Sequence, residues 1–424
     1  MDVLKAFRYR LDPSSPKLDR LRCWGGAKRY VYNRLLAERD AAWKALGKEP
    51  SKAKKKAYNK AWSYNAMSKK VTAWRKEIDW LSDVPYHATQ NAAKDLHGAF
   101  ENWWKGLAKR PTFKKKSHGG DSWRESDRLQ LDINGQAVKL PKLGWVKAHI
   151  SKPFEGIIKQ ATVKQEGDEW YVSILSQVVI KVPKNEGTPI GLDLGVTHAV
   201  TDSDGKHHDL LTETPAEKRK IKRFARSVSR KKKGSKNRRK AQKRLNKARR
   251  RIRRRVRHET HVLTYRTAKN HGLVAIEDLN VKGMTASAAG TKEAPGKKVA
   301  QKSGLNREIL SRGWGELRRQ LEYKCGWYGS KLVPVPPAFS SQECSACGHV
   351  AAENRKTQSE FVCVRCGHAE NADVNAAKVI LKRGLALVAA GHAVTACGED
   401  VSRRKEHAAS VKQEPTRGAQ KCAV

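Results

Sequence analysis

Two short cysteine pairs constrain this chain more than any other feature. In CSACGHVAAENRKTQSEFVCVRCGH, Cys344 and Cys347 stand two residues apart, fifteen residues intervene, and Cys363 and Cys366 repeat the pair. A glycine, Gly348 or Gly367, follows each pair. Two matched Cys-x2-Cys turns close tetrahedrally on one Zn2+ with thiolates at about 2.3 Å, and a redox dithiol would need only one of them. Four thiolates leave no open coordination position, so the ion expected here is structural, in a zinc ribbon. His349 and His368 stand beside the cluster as rival ligands. Cys23, Cys325, Cys397 and Cys422 have no partner spacing. The start, MDVLKAFRYRL, carries charge throughout and lacks the apolar core of a signal peptide, so a reducing, cytoplasmic setting is expected.

Charge restricts the partners. The 424 residues hold 88 Lys and Arg against 42 Asp and Glu, a net charge of +46. That excess calls for a large anionic partner, and a nucleic-acid backbone fits better than acidic metabolites or lipid headgroups. No apolar run reaches the length of a membrane span, so no membrane partner is expected. The excess is densest from 218 to 257, where 24 of 40 residues are Lys or Arg and none is acidic. Ile221, Phe224, Ala225 and Val228, and then Leu245, Ala248, Ile252 and Val256, follow helical spacing on either side of KKKGSKN. Two basic helices lying along phosphate are expected. Like charges repel at i,i+4, which argues against helices that end in water.

The pattern along the chain divides it. Residues 1–11 alternate as a strand, residues 14–106 are helical, and strand patterns return over 128–182 with hairpin turns at Asn134-Gly135 and Gly167-Asp168. An all-β module interrupted by a helical insertion is the simplest reading. Pro183 to Pro189 reads as a linker. From Ile190, IGLDLG, THAVTDSDG and KHHDLL read as three short strands, and GLVAIEDLN as a fourth. Residues 284–304 form a small-residue loop, 305–329 a single amphipathic helix and SKLVPVPPAF a further strand. From about Thr395 the chain is polar and aperiodic, the signature of disorder.

Three acids stand at the ends of elements in this second half. Asp193 lies in an apolar strand between Gly191 and Gly195, which leave room for another backbone or a phosphate. Glu277 ends the fourth strand; Asp278 is its rival, but Ile276 and Leu279 bracket Glu277 in the apolar pattern. Asp373 opens the last helix, in its first turn or at its cap. Each alone is ordinary. Carboxylates converging from separate elements can hold two hard cations, and two Mg2+ about 4 Å apart serve phosphodiester hydrolysis.

Taken together, GLDLGVTHAVTDSDG, AIEDLN, NREILSRGWGELRRQLEYKCGWYG, SSQECSACGH and CVRCGHAENADVNAAKVIL resemble TnpB, the transposon-encoded RNA-guided nucleases related to type V CRISPR effectors. RYVYNRLLAERDAAW and KLPKLGWVKAHI extend the likeness over nearly the whole chain. The resemblance implies a multidomain α+β chain. A β-barrel wedge domain (1–13 and 107–184) would be interrupted by a helical recognition domain (14–106). An RNase H-like RuvC α/β nuclease domain (185–394) would follow, with an inserted zinc ribbon (338–371), a lid loop (284–304) and a disordered tail (395–424).

It further implies that Asp193, Glu277 and Asp373 are the catalytic, magnesium-binding acids, two Mg2+ per site, and that the partners are a structured guide RNA and double-stranded target DNA, with one protein per RNA. The setting implied is prokaryotic and cytoplasmic, acting at the nucleoid. Recognition of a short motif flanking the target would fall to the wedge and recognition domains, where Tyr64, Asn65, Gln90 and Asn91 are polar groups on helices able to reach base edges; ordinary helix-surface polarity is the alternative. Lys243, Arg244, Arg250 and Arg254 would lie along RNA or heteroduplex phosphate. A cleavage-inactive guided repressor, a guide-free transposase and a compact type V effector remain open beside the endonuclease.

Overall fold

The computed structural model describes residues 1–391, apart from 48, 50, 117–119, 127–129, 210–211 and 291–293. The tail expected to be disordered lies outside the described residues. The chain divides into two compact units, one ending at Ile180 and the other beginning at Lys181. No helix among the described residues is long and apolar enough to cross a membrane.

The first unit is one antiparallel sheet with helices inserted after its first strand. β1 (Asp2–Leu11) precedes α1 (Ser15–Ala45), α2 (Lys52–Ala61), α3 (Tyr64–Glu77), α4 (Asp79–Ser82) and α5 (Tyr86–Trp104). The chain then returns through β2 (Ser122–Glu125), β3 (Asp132–Ile133), β4 (Ala137–Leu140), β5 (Gly144–His149), β6 (Ile157–Glu166) and β7 (Glu169–Val179). Strict alternation puts Trp170, Val172, Ile174 and Val178 of β7 inward, and the same period buries Val3, Phe7, Tyr9 and Leu11 of β1. Both hairpin turns form: Glu166 pairs with Glu169 across Gly167-Asp168, with Gly167 at φ 68°, and β3 pairs with β4 around Asn134-Gly135.

The strand order is β2-β6-β7-β1-β5-β4-β3, so the sheet ends in two free edges and the expected closed barrel does not form among the described residues. The edge strands are short, four and two residues. The helices cover the first of them, with Trp24 of α1 edge-on to Trp123 of β2 at 6.1 Å.

The second unit is built on a four-stranded sheet of order β11-β10-β8-β9. Its strands are β8 (Ile190–Asp193), β9 (Thr201–Asp202), β10 (Leu273–Glu277) and β11 (Lys331–Val335). β8, β10 and β11 run parallel and β9 is antiparallel to β8. Pro334 is tolerated because β11 is an edge. In the described part of the expected KHHDLL strand, residues 206–209, the pairing is a single bridge, Thr201 to His207.

Between β9 and β10 lie α6 (Pro215–Ser229) and α7 (Lys236–Asn270), parted at the predicted break by Gly234, φ 89°. Thr214 and Glu217 form a capping box at the start of α6. Val228, Ala241 and Leu245 bury the narrow seam of this basic hairpin, and Arg255 grips Glu217 at 2.6 Å. α8 (Val281–Met284), α9 (Val299–Arg312) and α10 (Trp314–Tyr328) connect β10 to β11, and α11 (Ala372–Ala389) ends the described unit.

The lid loop expected over 284–304 is therefore shorter, because α9 begins at Val299, and the single helix expected over 305–329 is two. Gly313 sits in the left-handed region at φ 68° and ends α9. Asn306 of α9 donates to the carbonyls of Thr285 at 3.0 Å and Ala286 at 3.2 Å, tying down the start of the loop.

Helices cover both sheet faces. Ile190, Leu192, Val274, Ile276 and Leu332 pack with Trp314, Leu317 and Leu321 of α10 and Ala268 of α7. Leu273, Ala275, Val333 and Val335 pack with Ile380 of α11. Two glycines let α11 close on the sheet. A Cβ on Gly191 would lie 2.1 Å from the Ala377 carbonyl, and one on Gly384 would lie 2.6 Å from the Ala275 Cβ. Gly191→Ala should cost about 1–3 kcal/mol in urea unfolding, because backbone would have to move. Gly98→Ala in α5, where an added Cβ meets nothing within 4 Å, should be neutral or stabilise by up to about 1 kcal/mol. Equal effects at the two positions would contradict the packing described.

Candidate active site and metal centre

Parallel pairing brings the first two acids together. Leu192 is in register with Ile276, so Asp193 and Glu277 are the next residues at the carboxyl ends of adjacent strands. That edge of a parallel sheet is where α/β folds present functional groups. All five residues of β10 are buried, including Glu277, whose Oε1 accepts a 2.6 Å hydrogen bond from the Ser340 hydroxyl. Asp278 faces the other way. Its backbone N–H donates to Val335, and its half-exposed carboxylate pairs with Arg318 of α10. Glu277 is the last residue of the fully buried strand and Asp278 the first beyond it, which separates the two acids.

Asp373 arrives on α11, whose closeness to β8 depends on Gly191. Asn371 is the helix cap, accepting from the N–H groups of Asp373 at 3.0 Å and Val374 at 3.3 Å. The Asp373 carboxylate is thereby spared capping duty. It lies 3.5 Å from a guanidinium nitrogen of Arg355, which also donates to the Gln358 carbonyl at 2.9 Å. The Gln358 amide in turn donates to Thr197 at 2.8 Å.

The electrostatics record this convergence. Burial pushes the Asp193 carboxyl up to about 8, and the charges of Glu277 and then Asp373 push the same way. Arg355 and the backbone N–H of Leu194 pull it back only in part. Burial also raises Glu277, against the Ser340 hydrogen bond and the charge of Arg383. Three carboxylates thus share too little positive charge, and their donors are all oxygen, the set that suits hard divalent cations. The three acids do not form a group whose ligand atoms all lie within 4.8 Å of one another; among the described residues, the four cysteines do.

Those cysteines form two knuckles of the same construction. Cys344 N–H donates to the His349 carbonyl and Gly348 N–H back to Cys344; Cys363 pairs with His368 and Gly367 in the same way, all at 2.9–3.0 Å. Gly348 and Gly367 take φ of 74° and 71°, the left-handed turn that lets each knuckle close. The sulfurs of Cys344 and Cys366 lie 3.7 Å apart and those of Cys347 and Cys363 3.6 Å. A tetrahedron with bonds of about 2.3 Å requires about 3.8 Å, so the cluster can hold one tetrahedral ion such as zinc.

The short hairpin of β12 (Glu360–Val362) and β13 (Ala369–Asn371) carries the second knuckle. Two fully buried asparagines lock the unit. Asn354 donates to the Gln342 and His349 carbonyls and accepts from Val364 N–H; Asn375 of α11 donates to the Glu343 carbonyl and accepts from Ser345 N–H. His368 contacts Glu370 at 3.5 Å and stays outside the sulfur cluster.

The nucleic-acid candidates divide. Lys243, Arg244 and Arg254 are exposed on α7 and Arg250 is half-exposed there. Asn65 is exposed and Tyr64 half-buried at the start of α3. Gln90 and Asn91 are corrected: both are buried struts. Gln90 bonds Ser68 at 2.7 Å and Thr72 at 3.0 Å, and Asn91 donates to the carbonyls of His87 at 2.5 Å and Arg124 at 2.6 Å. Their amides are already satisfied internally and do not present to a base edge.

Arg355 and Ser340 escaped the sequence reasoning. Neither carries a periodic or spacing signal, and each reaches the acids from a loop.

Matches to known proteins follow this geometry. A family model described as "Cas12f1-like, TNB domain" matches residues 314–380, "OrfB_IS605: Probable transposase" matches 162–288, and a helix-turn-helix model of the same OrfB_IS605 group matches 1–48. A protein of Escherichia coli K12 named "Putative RNA-guided DNA endonuclease InsQ" is 38% identical over 419 residues, 98% of each chain. A Streptomyces pristinaespiralis protein named "Putative RNA-guided DNA endonuclease" is 32% identical over 428 residues, 98% of this chain and 97% of its own. The solved Cas12f1–sgRNA–target DNA complex aligns with 89% of this chain and 99% of the matched chain at 16% identity and a TM-score of 0.31. With end-to-end identity at this level, the chain belongs to the TnpB family of IS605 OrfB proteins.

Proposed function

We propose that this chain is an RNA-guided DNA endonuclease. It binds a structured guide RNA, recognises a short motif beside the target and cleaves DNA by divalent-metal-dependent hydrolysis. The observation that carries the reading is the shared charge deficit of Asp193, Glu277 and Asp373. The curated relatives that match end to end are named for RNA-guided DNA cleavage, and the net charge of +46 suits two nucleic acids at once.

The three acids would hold Mg2+, two ions per site, which when bound supply an activated water and stabilise the leaving oxygen. The chain's own residues prepare the place. β8 and β10 fix Asp193 and Glu277 side by side in an RNase H-like, RuvC arrangement. Ser340 holds the Glu277 carboxylate. Asn371 caps α11, so that Asp373 faces the site. Arg355, held by Gln358 and only loosely engaged with Asp373, is placed to take a phosphate oxygen. The basic ridge of α7 would follow RNA or heteroduplex phosphate, and a lid within the segment expected over 284–304 would cover the single strand. The four cysteines would hold Zn2+ as a staple that positions Arg355 and the start of α11.

Asp193→Asn should reduce cutting of a guide-matched duplex to the assay background while guided binding persists. Continued cleavage would contradict the assignment.

The same carboxyl predicts a pH dependence. Its folded pKa of about 8 exceeds the ordinary 3.8, so the folded chain binds the extra proton between these values. Stability without magnesium therefore falls as pH rises from about 4 to about 8, by at most about 1.4 kcal/mol per unit from this group. The advantage of Asp193→Asn over wild type in urea midpoint should grow across that window; parallel pH profiles would contradict it.

Cys363→Ser should remove the bound zinc, read by elemental analysis, lower the melting temperature and weaken cutting through Arg355. Unchanged metal content would contradict the staple.

A further inference from the structure

We propose that an aromatic cluster on α1, α2 and α5 of the first unit is a stacking platform for unpaired DNA bases, specifically those of the strand that guide pairing displaces from the target duplex. The inference rests on the guided-nuclease reading above.

Its centre is Arg39, 1% exposed, whose guanidinium lies 3.7 Å from the Phe100 ring centre, 5.2 Å from Trp104 and 5.7 Å from Tyr58. Arg39 also hydrogen-bonds the Tyr58 hydroxyl at 3.3 Å, while its Nη1 is buried without an acceptor. Trp43 rests edge-on against Tyr58 at 5.1 Å. A buried cation among rings holds them in fixed orientations. Yet two of these rings are left in solvent: Trp43 is 41% exposed and Trp104 54%. Large, rigid, half-bare aromatic faces suit flat partners.

The surroundings define the partner's charge. α2 carries five lysines in ten residues, no acid and no buried side chain. Lys105, Lys109 and Arg110 follow Trp104 in the chain, and Asp40 of α1 is already paired with Arg110 at 2.7 Å. Exposed rings beside unneutralised lysines are the two components of single-strand binding, stacking and phosphate attraction. The reaction supplies such a strand by necessity. Each base of the target strand that pairs with the guide leaves a base of the other strand unpaired, whereas the structured part of the guide pairs within itself.

The test measures binding of the full-length chain to a fluorescent oligothymidylate and to its guide RNA. Magnesium is omitted, and salt is about 0.3 M, where long-range attraction is screened. The Trp43→Ala/Trp104→Ala double variant should lose about tenfold or more in oligothymidylate affinity, as expected for lost base–aromatic stacking. Guide RNA affinity should be unchanged. Trp104→Tyr, which keeps a ring, should stay near wild type.

Unchanged oligothymidylate affinity in the double variant overturns the proposal. So does an equal loss of guide RNA affinity, which would make RNA the occupant, and so does an equal loss in Trp104→Tyr. If the double variant does not fold, Lys54→Glu/Lys55→Glu on the solvent-facing helix α2 decides. A shallower salt dependence of oligothymidylate binding supports the platform, and an unaltered slope overturns it. No arm reads cleavage, so a failure of the catalytic assignment shows only in the Asp193→Asn assay.

Discussion

A half-buried carboxylate at the end of a parallel strand is the constraint on which the second unit depends. Asp193 has burial and two neighbouring acids against it, and only the Arg355 guanidinium and the Leu194 backbone N–H in its favour. In an ordinary domain that arrangement would be replaced by an apolar residue. Its presence suits the proposed site, which divalent cations would complete. The surrounding architecture brings the three oxygen donors toward one another from separate elements.

Much of the second unit serves that spacing. The parallel register sets Asp193 beside Glu277, and the missing side chains at Gly191 and Gly384 let α11 approach from the opposite face of the sheet with Asp373 in its first turn. The cysteine cluster is part of the same construction. Its knuckles are clamped to α11 through Asn375, and the loop between them carries Arg355 toward the acids. An ion held by the four cysteines would thus act on the candidate catalytic site by fixing backbone, with no open ligand position of its own.

The sequence was most readable where chemistry demands fixed spacing or strict period. The Cys-x2-Cys pairs, the Gly167-Asp168 turn and the break at Gly234 follow from local rules, and the apolar run that ends at Glu277 leaves Asp278 outside it, paired with Arg318. Legibility ended where long-range packing decides. Gln90 and Asn91 look like surface polarity on a helix, but neighbouring helices and β2 bury them and use their amides. The seven strands carry barrel-like alternation, yet nothing in the chain shows that the two edges fail to meet. One left-handed glycine splits what reads as a continuous helix. Arg355 reaches the acids from an irregular loop, which leaves no periodic trace.

The most direct measurement is anomalous diffraction from the guide- and target-loaded protein soaked in Mn2+ with Asp193, Glu277 and Asp373 intact. The account predicts two peaks about 4 Å apart, bridged by oxygens of these three side chains and touching one phosphate of the DNA. Peaks elsewhere with these carboxylates unoccupied would contradict it, as would a loaded complex in which Asp373 remains paired with Arg355 and no ion is bound.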